Sequence, residues 1–599
     1  MEDQLAPFLR SNDPPSEATI SQVKGLLLKP SAELLATDAE IQRLDLVMNS
    51  LKHKRDALQR SINDFNTILS PVRRLPVDIL HEIFYHCLPT HRNPVMDASE
   101  APVLLTRICS SWRTIALSSP SIWSRLHISL PGRLFDNLPH VPLGVQTTQS
   151  RAFAQTMQVR CQVVREWLNR SRECPLSISV SYPSHQFYSD DVEESEFNLT
   201  REIFRTILLF ARRWRSLEVR MPLDVYEALL FELTDRTLPI LENLRAEVQE
   251  IGRIEDNGRP FTLLPSQRLQ RLSLRSTKAT WDFRHLPAVW DCLTYLCFHS
   301  IFPETEVLEL LAQCRCLVEC RLVIQRHWDQ ATHEVMQNDV VLPHLRTLII
   351  NDGGSNVVMT KIFKALSVPA LTSLEYQRPS YYSVEPEQTE PTPLSLFSLL
   401  EISSAIDRLV IHPVCIPPEE ILGCLRIAHR TKHLVLGQQP SFIDADGGLL
   451  YHRQSMVSYD HFDLNNLLIS PDSGIARLDE VDEGNVLLPD MEHLEAYGIS
   501  SFTDSNLLDL ISSRFDAWKR GAATSALKRV RLDFCRPKQL PDIEAAVSRL
   551  AEGAGVKLEF ELTYSKALHR SFQPLSPMFG LTLDDRSWSL DDDGPSLFY

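Results

Sequence analysis

Long apolar runs are missing from this 599-residue sequence. No stretch approaches the roughly 18 consecutive apolar residues of a membrane-spanning helix, so we expect no contact with a membrane. The first residues, MEDQLAPFLRSNDPPSE, include acidic side chains and no apolar core, which argues against a secretory signal.

Positive charge is scarce relative to negative charge. Lys and Arg number 61 against 77 Asp and Glu, giving a formal net charge of −16. Non-specific binding of nucleic acid relies on a cationic surface, so we expect no nucleic-acid partner. The 12 cysteines are scattered among apolar neighbours, which is typical of reduced, buried thiols. These features predict a cytoplasmic or nuclear protein.

Motifs that carry catalysis or bind cofactors are also missing, with no GxxxxGK[ST], GxGxxG or GxSxG run. His81, Glu82 and His86 resemble a helical zinc motif, but His86 comes five residues after His81, about 140° around a helix. No paired C-x-x-C spacing occurs among Cys292, Cys297, Cys314, Cys316 and Cys320, and core thiols explain them better. We assign no catalytic, cofactor-binding or metal-binding residue, and predict a protein that is not an enzyme.

A heptad pattern occupies residues 31–69, after a proline-containing stretch at 1–30 that we expect to be loose. The two apolar heptad positions carry Leu34, Ile41, Met48, Ile62 and Leu69, and Leu44, Leu51, Leu58 and Phe65. Thr37 and Arg55 interrupt the pattern. About five heptads suffice for a coiled coil. Two interpretations remain open: a homodimer through residues 34–69, and an amphipathic helix packed on its own chain.

Residues 75–123 predict a compact unit of about three short helices. Pro76 and Asp78 suit the first turn of a helix, and Leu80, Ile83, Phe84 and Leu88 follow at helical spacing. Ser99 can cap a second helix, with Leu105, Ile108, Cys109, Trp112 and Ala116 on one face. Ser119-Pro120 ends that helix and can start a third turn carrying Ile122 and Trp123.

The order of residues in this segment resembles the F-box. The resemblance implies docking onto a Skp-type adaptor, and through it onto a cullin–RING ubiquitin ligase. Asp78 stands where Glu is commoner, and a spacer at 90–100 lengthens the link between the first two helices, as in F-box proteins of mushroom-forming fungi. The implied adaptor-binding residues are Leu75, Pro76, Ile79, Leu80, Ile83, Phe84, Leu105, Ile108, Trp112, Pro120 and Trp123.

A short unit recurs after residue 213: an apolar residue, two others, an apolar residue, one other and an apolar residue. Copies start at 214, 241, 269, 293, 317, 345, 371 and 406, with looser copies at 431, 491 and 527. The first six separations, obtained by subtracting start positions, are 27, 28, 24, 24, 28 and 26 residues. Such periods are typical of leucine-rich repeats, in which stacked copies share one core.

This part resembles an irregular leucine-rich-repeat domain without the asparagine ladder of the regular family. The predicted fold class is α/β: an N-terminal coiled-coil helix, a three-helix F-box, and a solenoid with parallel strands. An ordinary α/β domain with parallel strands is the alternative. In the solenoid, Leu272, Leu296, Leu348 and Leu374 should be buried, whereas Arg271, Tyr295 and Thr347 should face a target.

The sequence therefore predicts a substrate-receptor subunit of a Skp–cullin–F-box ubiquitin ligase, which binds a protein target through its repeats. The alternative is a repeat scaffold that uses the F-box for assembly without ubiquitin transfer. We expect a loose N-terminus at 1–30, an amphipathic or coiled-coil helix at 31–70, an F-box at 71–128, a connector with a helix and short strands at 129–200, repeats at 201–565 and an acidic tail at 566–599.

Overall fold

The structure is a computed structural model of the chain. It describes residues 14–130, 143–182, 194–233, 238–249, 266, 268–276, 290–303, 306–325, 339–353, 356–377, 394–403, 405–412, 416–437, 462–469 and 486–564. The chain divides into two units, Met1–Glu82 and Ile83–Tyr599.

Helices occur along the whole described part of the chain. They are α1 (Glu17–Leu69), α2 (Val77–His86), α3 (Leu105–Ile108), α4 (Ser110–Ser118), α5 (Leu143–Arg170), α6 (Glu194–Leu208), α7 (Leu223–Leu233), α8 (Val307–Gln313), α9 (Asn356–Lys364), α10 (Leu396–Ile402), α11 (Pro418–Ile427), α12 (Asp504–Lys519) and α13 (Ile543–Ala554). Short 3₁₀ turns lie at Pro71–Arg74, Pro120–Trp123, Ala211–Arg213, Trp290–Cys292 and Leu464–Leu467.

Strands alternate with these helices from residue 125 onward. They are β1 (Arg125–Ser129), β2 (Leu176–Ser181), β3 (Trp214–Pro222), β4 (Asn243–Gln249), β5 (Arg271–Ser276), β6 (Tyr295–Pro303), β7 (Glu319–Gln325), β8 (Val340–Val341), β9 (Thr347–Gly353), β10 (Leu366–Ser367), β11 (Ser373–Gln377), β12 (Arg408–His412), β13 (His433–Leu436), β14 (His493–Ile499), β15 (Arg529–Phe534) and β16 (Glu559–Tyr564).

The long helix α1 begins earlier than the sequence predicted. The Ser16 side chain accepts the Thr19 N–H at 3.2 Å and caps the helix, so residues 17–30 are helical and the expected loose stretch ends at the cap. Pro30 lies inside the helix and removes one backbone N–H. Water can satisfy the carbonyl left over, because no residue of α1 is buried.

The second unit is built on a 14-stranded parallel sheet in which β1 to β7, β9 and β11 to β16 pair in chain order. β8 and β10 form a separate parallel pair. The predicted α/β class with a long N-terminal helix and parallel strands is therefore confirmed. The sheet begins at Arg125, however, within segments that the sequence analysis assigned to the F-box and connector.

One ladder of side chains, which we call the leucine ladder, crosses the entire sheet in register. It runs Leu126, Ile178, Leu217, Leu244, Leu272, Leu296, Cys320, Leu348, Leu374, Leu409, Leu434, Leu494, Val530 and Phe560. The four leucines named from the sequence, at 272, 296, 348 and 374, are buried as predicted. Each apolar side chain stacks on those of the neighbouring strands, so the core continues from strand to strand.

The last four residues of every recurring unit identified from the sequence lie in a strand of this sheet, including those of the looser copies at 431, 491 and 527. The predicted tail at 566–599 lies outside the described residues.

None of the helices in the described part of the chain combines the length and the apolar character required to span a bilayer.

Candidate partner-binding site

Helix α2 carries the first exposed apolar residues of the 75–123 segment. The Leu80 N–H donates to the Pro76 carbonyl at 3.1 Å, so the helical hydrogen bonding starts at this proline. Ile79 and Ile83 are four residues apart on one side of the helix and are 43% and 37% exposed. Pro76 is exposed and Leu75 is half-buried. These side chains are open to a partner.

Four other predicted adaptor-binding residues are buried: Leu80, Phe84, Leu105 and Trp123. The Phe84 ring packs on that of half-buried Trp112, with 4.9 Å between centroids and a tilt of 56°. Such contacts hold the segment in shape. These residues therefore support a partner-facing surface, whereas Ile79 and Ile83 can touch a partner directly.

The predicted second helix is broken in two at Cys109, whose backbone is extended (φ −157°, ψ 169°). The Arg113 Nε–H donates to the Thr106 carbonyl at 2.7 Å, which occupies an acceptor that a continuous helix would use itself. The single apolar face predicted for this helix is therefore wrong, and Ile108 is 54% exposed. Ser99 does not cap it, because the Ser99 N–H and hydroxyl both donate to Asp97 Oδ1.

The third turn, Pro120–Trp123, anchors the segment to the rest of its unit. Trp123 Nε1–H donates to the Ala116 carbonyl at 2.8 Å. Its ring meets that of Trp167 edge-on at 4.9 Å, and the Arg170 guanidinium lies 4.8 Å from the Trp123 centroid. Pro120 is half-buried beside this cluster. The predicted third turn is confirmed, with Trp123 as a packing residue.

The spacer at 90–100 is held by a buried polar network, although its sequence suggested only a linker. Arg92 and Glu100 form an ion pair, and Glu100 Oε1 accepts the Val95 N–H at 2.9 Å. The Pro94 carbonyl accepts the His127 N–H at 2.8 Å, and Val95 bridges to β1. The spacer therefore lies along the outer edge of the sheet.

Arg125 and Asn93 join the spacer to the first two strands. Arg125 donates to the Pro89 carbonyl at 3.0 Å, to the Arg92 carbonyl at 2.5 Å and to Asn93 Oδ1 at 3.3 Å. Burial lowers the pKa of Arg125, so these acceptors replace the water that its guanidinium loses. The Ser177 hydroxyl also donates to Asn93 Oδ1, at 3.0 Å. The sequence signal for this network was Arg92 and Asn93 in the spacer and Arg125 at the start of β1.

The sheet face opposite the leucine ladder carries many charged side chains, as alternation along each strand requires. Arg220 and Glu247 approach to 3.2 Å, and Arg245 and Glu218 to 3.9 Å. The predicted exposure of Arg271, Tyr295 and Thr347 on this face was partly right. Arg271 is exposed and Thr347 half-exposed, but Tyr295 is only 6% exposed because the Arg271 guanidinium covers its ring at 4.0 Å.

Two carboxylates on this face are strongly acidic. Glu495 accepts from the His433 ring at 3.2 Å and from the Tyr497 hydroxyl at 2.8 Å. The His433 hydrogen bond is the largest influence on the pKa of Glu495, which falls to about 2 despite partial burial. Burial alone would raise the pKa of Glu375, but the hydrogen bond to His412 and nearby arginines lower it to about 2. Both groups are therefore anionic at neutral pH.

An apolar cluster of Val410, Val435 and Tyr497 lies between these two carboxylates on the same face. The apolar pattern of the repeat units did not indicate this cluster. Val410 and Val435 each follow a ladder position directly, and Tyr497 comes just after the unit that starts at 491. This face therefore presents apolar side chains flanked by fixed negative charges, together with half-buried His433 and Arg531.

Three cysteines near the middle of the chain, Cys297, Cys314 and Cys320, are buried as predicted for core thiols. Burial raises the pKa of Cys314 to about 12 and that of Cys320 well above its ordinary value, so both keep their protons at neutral pH. Cys292 and Cys316 are exposed. In the described residues, no group of three or more His, Cys, Asp or Glu side chains is placed to hold a metal ion.

Known proteins add little to this description. No protein-family model and no curated protein matches the chain. Among solved structures, a Bacteroides fragilis protein from a structural genomics consortium shares 12% identity with a TM-score of 0.24. That match covers 66% of this chain and 90% of the other.

Proposed function

We propose that this protein is a substrate-receptor subunit of a Skp–cullin–F-box ubiquitin ligase. In this proposal the 75–123 segment docks on a Skp-type adaptor, and the 14-stranded sheet with its helices is an irregular leucine-rich-repeat domain that binds a protein target. Such a complex would work in the cytoplasm or nucleus.

The observation that carries the proposal is the arrangement of exposed and buried apolar residues within the 75–123 segment. The residue types of this segment occur in the order of an F-box. The segment exposes Ile79, Ile83 and Ile108. Its interior contains the packed rings of Phe84 and Trp123. Apolar residues held rigidly at a surface are good anchors for a partner, because little conformational entropy is lost on binding.

The proposed target-binding surface is the sheet face opposite the leucine ladder. Stacked repeats present an extended surface, and repeat proteins commonly bind partners there. The acidic pKa values of Glu375 and Glu495 give this face fixed negative charge around Val410, Val435 and Tyr497. A target segment with basic and apolar side chains would complement it.

The protein would break or form no bond itself. By holding a target near the ubiquitin-charged enzyme of the complex, it would raise the effective concentration of the reacting groups. The contribution of this chain is therefore binding and orientation, which needs no catalytic side chain.

A binding experiment with the full-length chain, a Skp-type adaptor and a cullin tests the proposal. Ile79→Asp with Ile83→Asp should weaken adaptor binding at least about tenfold, because charges would replace exposed apolar anchors. Phe231→Asp with Val341→Asp is the matched control, since it changes two exposed apolar residues elsewhere and should leave binding unchanged. Undiminished binding by the Ile79/Ile83 variant would falsify the adaptor assignment.

The same experiment separates the ligase proposal from the scaffold alternative. Recovery of the cullin together with the adaptor, and ubiquitin transfer to a captured target, supports a substrate receptor. Recovery of the adaptor without any cullin supports a scaffold that uses the segment for assembly.

A further inference from the structure

Helix α1 presents a long apolar stripe, interrupted at Thr37 and Arg55, that no other described residue covers. Its 53 residues include none that is buried, although it carries nine apolar heptad residues between 34 and 69. Ile41, Leu44, Met48 and Leu51 are all about half exposed. A helix with such a stripe gains stability when the stripe is covered, because apolar area leaves water.

Parallel pairing of two copies of α1 is disfavoured by its charges. In a parallel dimer, each residue at the first heptad position packs on the same residue of the other copy, so Arg55 would meet Arg55 in the core. Residues flanking the core would place Glu33 near Asp38 and Glu40 near Asp45, which are like charges. Both effects destabilise a parallel arrangement.

Antiparallel pairing resolves both problems in one register. When Leu44 of one copy faces Met48 of the other, Ile41 faces Leu51 and Leu34 faces Leu58. The two interruptions of the pattern, Thr37 and Arg55, then fall opposite each other and form one polar layer on each side of the two-fold axis.

The flanking charges in this register are also complementary. Glu40 comes beside Lys54 of the other copy, and Asp38 beside Lys52, and each contact occurs twice by symmetry. Glu40 already bonds Arg43 of its own helix at 2.7 Å, and Lys54 would add to that pair. Near the symmetry axis, Asp45 of one copy lies beside Asp45 of the other. This is the one unfavourable flanking contact that we identify.

We propose that α1 binds α1 of a second copy as an antiparallel coiled coil whose two-fold axis passes near Leu46. The paired region would run from Leu27 to Phe65, about 58 Å at 1.5 Å per residue. This inference is independent of the proposed ligase function.

Light scattering on the full-length chain tests whether the stripe pairs. The mass should be about twice 68.4 kDa at micromolar concentration. Leu44→Asp with Leu51→Asp should restore the monomer, because it buries charges in the seam. Leu35→Asp with Leu46→Asp changes two equally exposed leucines on the outward side of α1 and should leave the dimer intact. A monomeric wild-type chain would overturn the proposal and assign the stripe to another partner. A dimer that survives Leu44→Asp with Leu51→Asp would also overturn it.

Charge reversal tests the orientation. Lys52→Glu with Lys54→Glu should weaken dimerisation at least about tenfold in the antiparallel arrangement, and adding Asp38→Lys with Glu40→Lys should restore it. Lys29→Glu with Arg60→Glu makes the same charge change at outward positions and should have no effect. In a parallel dimer the Lys52/Lys54 variant would lose no opposite-charge partner, so an unchanged affinity contradicts the proposal.

A distance measurement gives an independent check. A spin label carried by a genetically encoded amino acid at Asn63 avoids the native cysteines. Two such labels should lie roughly 50 Å apart in the antiparallel dimer. This distance is the helical rise per residue multiplied by twice the number of residues between Asn63 and Leu46. Labels within about 20 Å of each other would show a parallel pair and overturn the orientation.

Discussion

Asn93 Nδ2 donates to the Ser179 hydroxyl at 3.1 Å, although 86 residues separate the two along the chain. Ser179 in turn bonds the His127 ring at 2.8 Å, so one amide ties the spacer to both β1 and β2. The spacer is therefore part of the folded body at the β1 end of the sheet.

The first prediction concerns this amide. Asn93→Ala should lower the free energy of unfolding by about 1–3 kcal/mol, because it removes the hydrogen bonds of the Asn93 amide to the Ser177 and Ser179 hydroxyls. Urea unfolding followed by circular dichroism measures the change. Asn169→Ala, at an exposed position of α5, should have almost no effect. Equal stability of the two variants would show that the spacer is not anchored through Asn93.

The second prediction concerns the start of α2. Leu75→Ala with Pro76→Ala should weaken adaptor binding about tenfold, because half-buried Leu75 and exposed Pro76 stand before the exposed isoleucines. The circular dichroism spectrum should stay unchanged, since neither residue belongs to the leucine ladder. Full adaptor binding by a folded variant would count against the assignment.

The third prediction concerns the ladder. Leu272→Ala should cost about 2–5 kcal/mol of unfolding free energy, through lost burial and the cavity left behind. Thr347→Ala changes a half-exposed side chain on a neighbouring part of the same sheet and should cost within about 0.5 kcal/mol. Chemical denaturation of the two variants in parallel tests the contrast, and a Leu272 variant as stable as the Thr347 variant would contradict it.

The fourth prediction concerns Glu495. Its pKa is about 2 in the folded chain against 4.5 ordinarily, so its stabilising effect is fully present above pH 4.5 and lost as the pH falls toward 2. Glu495→Gln should therefore be less stable than the wild type at pH 7, by about 1–3 kcal/mol. The difference should shrink below pH 4.5. Thermal unfolding across this range measures it, with Glu559→Gln, an exposed glutamate, as the control. A gap that is independent of pH would mean that the ionised form of Glu495 is not what stabilises the fold.

Much of the sheet could be predicted because its core depends on a local pattern. Leu217, Leu244 and Leu272 occupy the same place in their units, and parallel pairing brings that place together across strands. Strand β16 escaped prediction because Lys557 stands where its unit should begin with an apolar residue. Phe560 and Leu562 nevertheless continue the register of Val530 and Leu532.

The candidate site was less predictable because its contacts join distant residues. Helical periodicity could not reveal the break at Cys109, which depends on the Arg113 side chain reaching the Thr106 carbonyl. It also could not separate Leu80, which is buried, from Ile83, which lies on the same predicted apolar face but is exposed. The order of residue types indicated the segment, and the packing of Phe84 on Trp112 determined which members reach the surface.

A parallel sheet in chain order has two outer edges, and each could recruit a strand from another molecule. At β1 the chain closes its own edge, since Pro94 and Val95 supply the hydrogen bond and bridge that an intruding strand would seek. At β16 no further strand pairs within the described residues, and Glu559 and Glu561 alternate along the strand. A second β16 approaching there would bring like charges together, so repulsion opposes the joining of two chains through this edge.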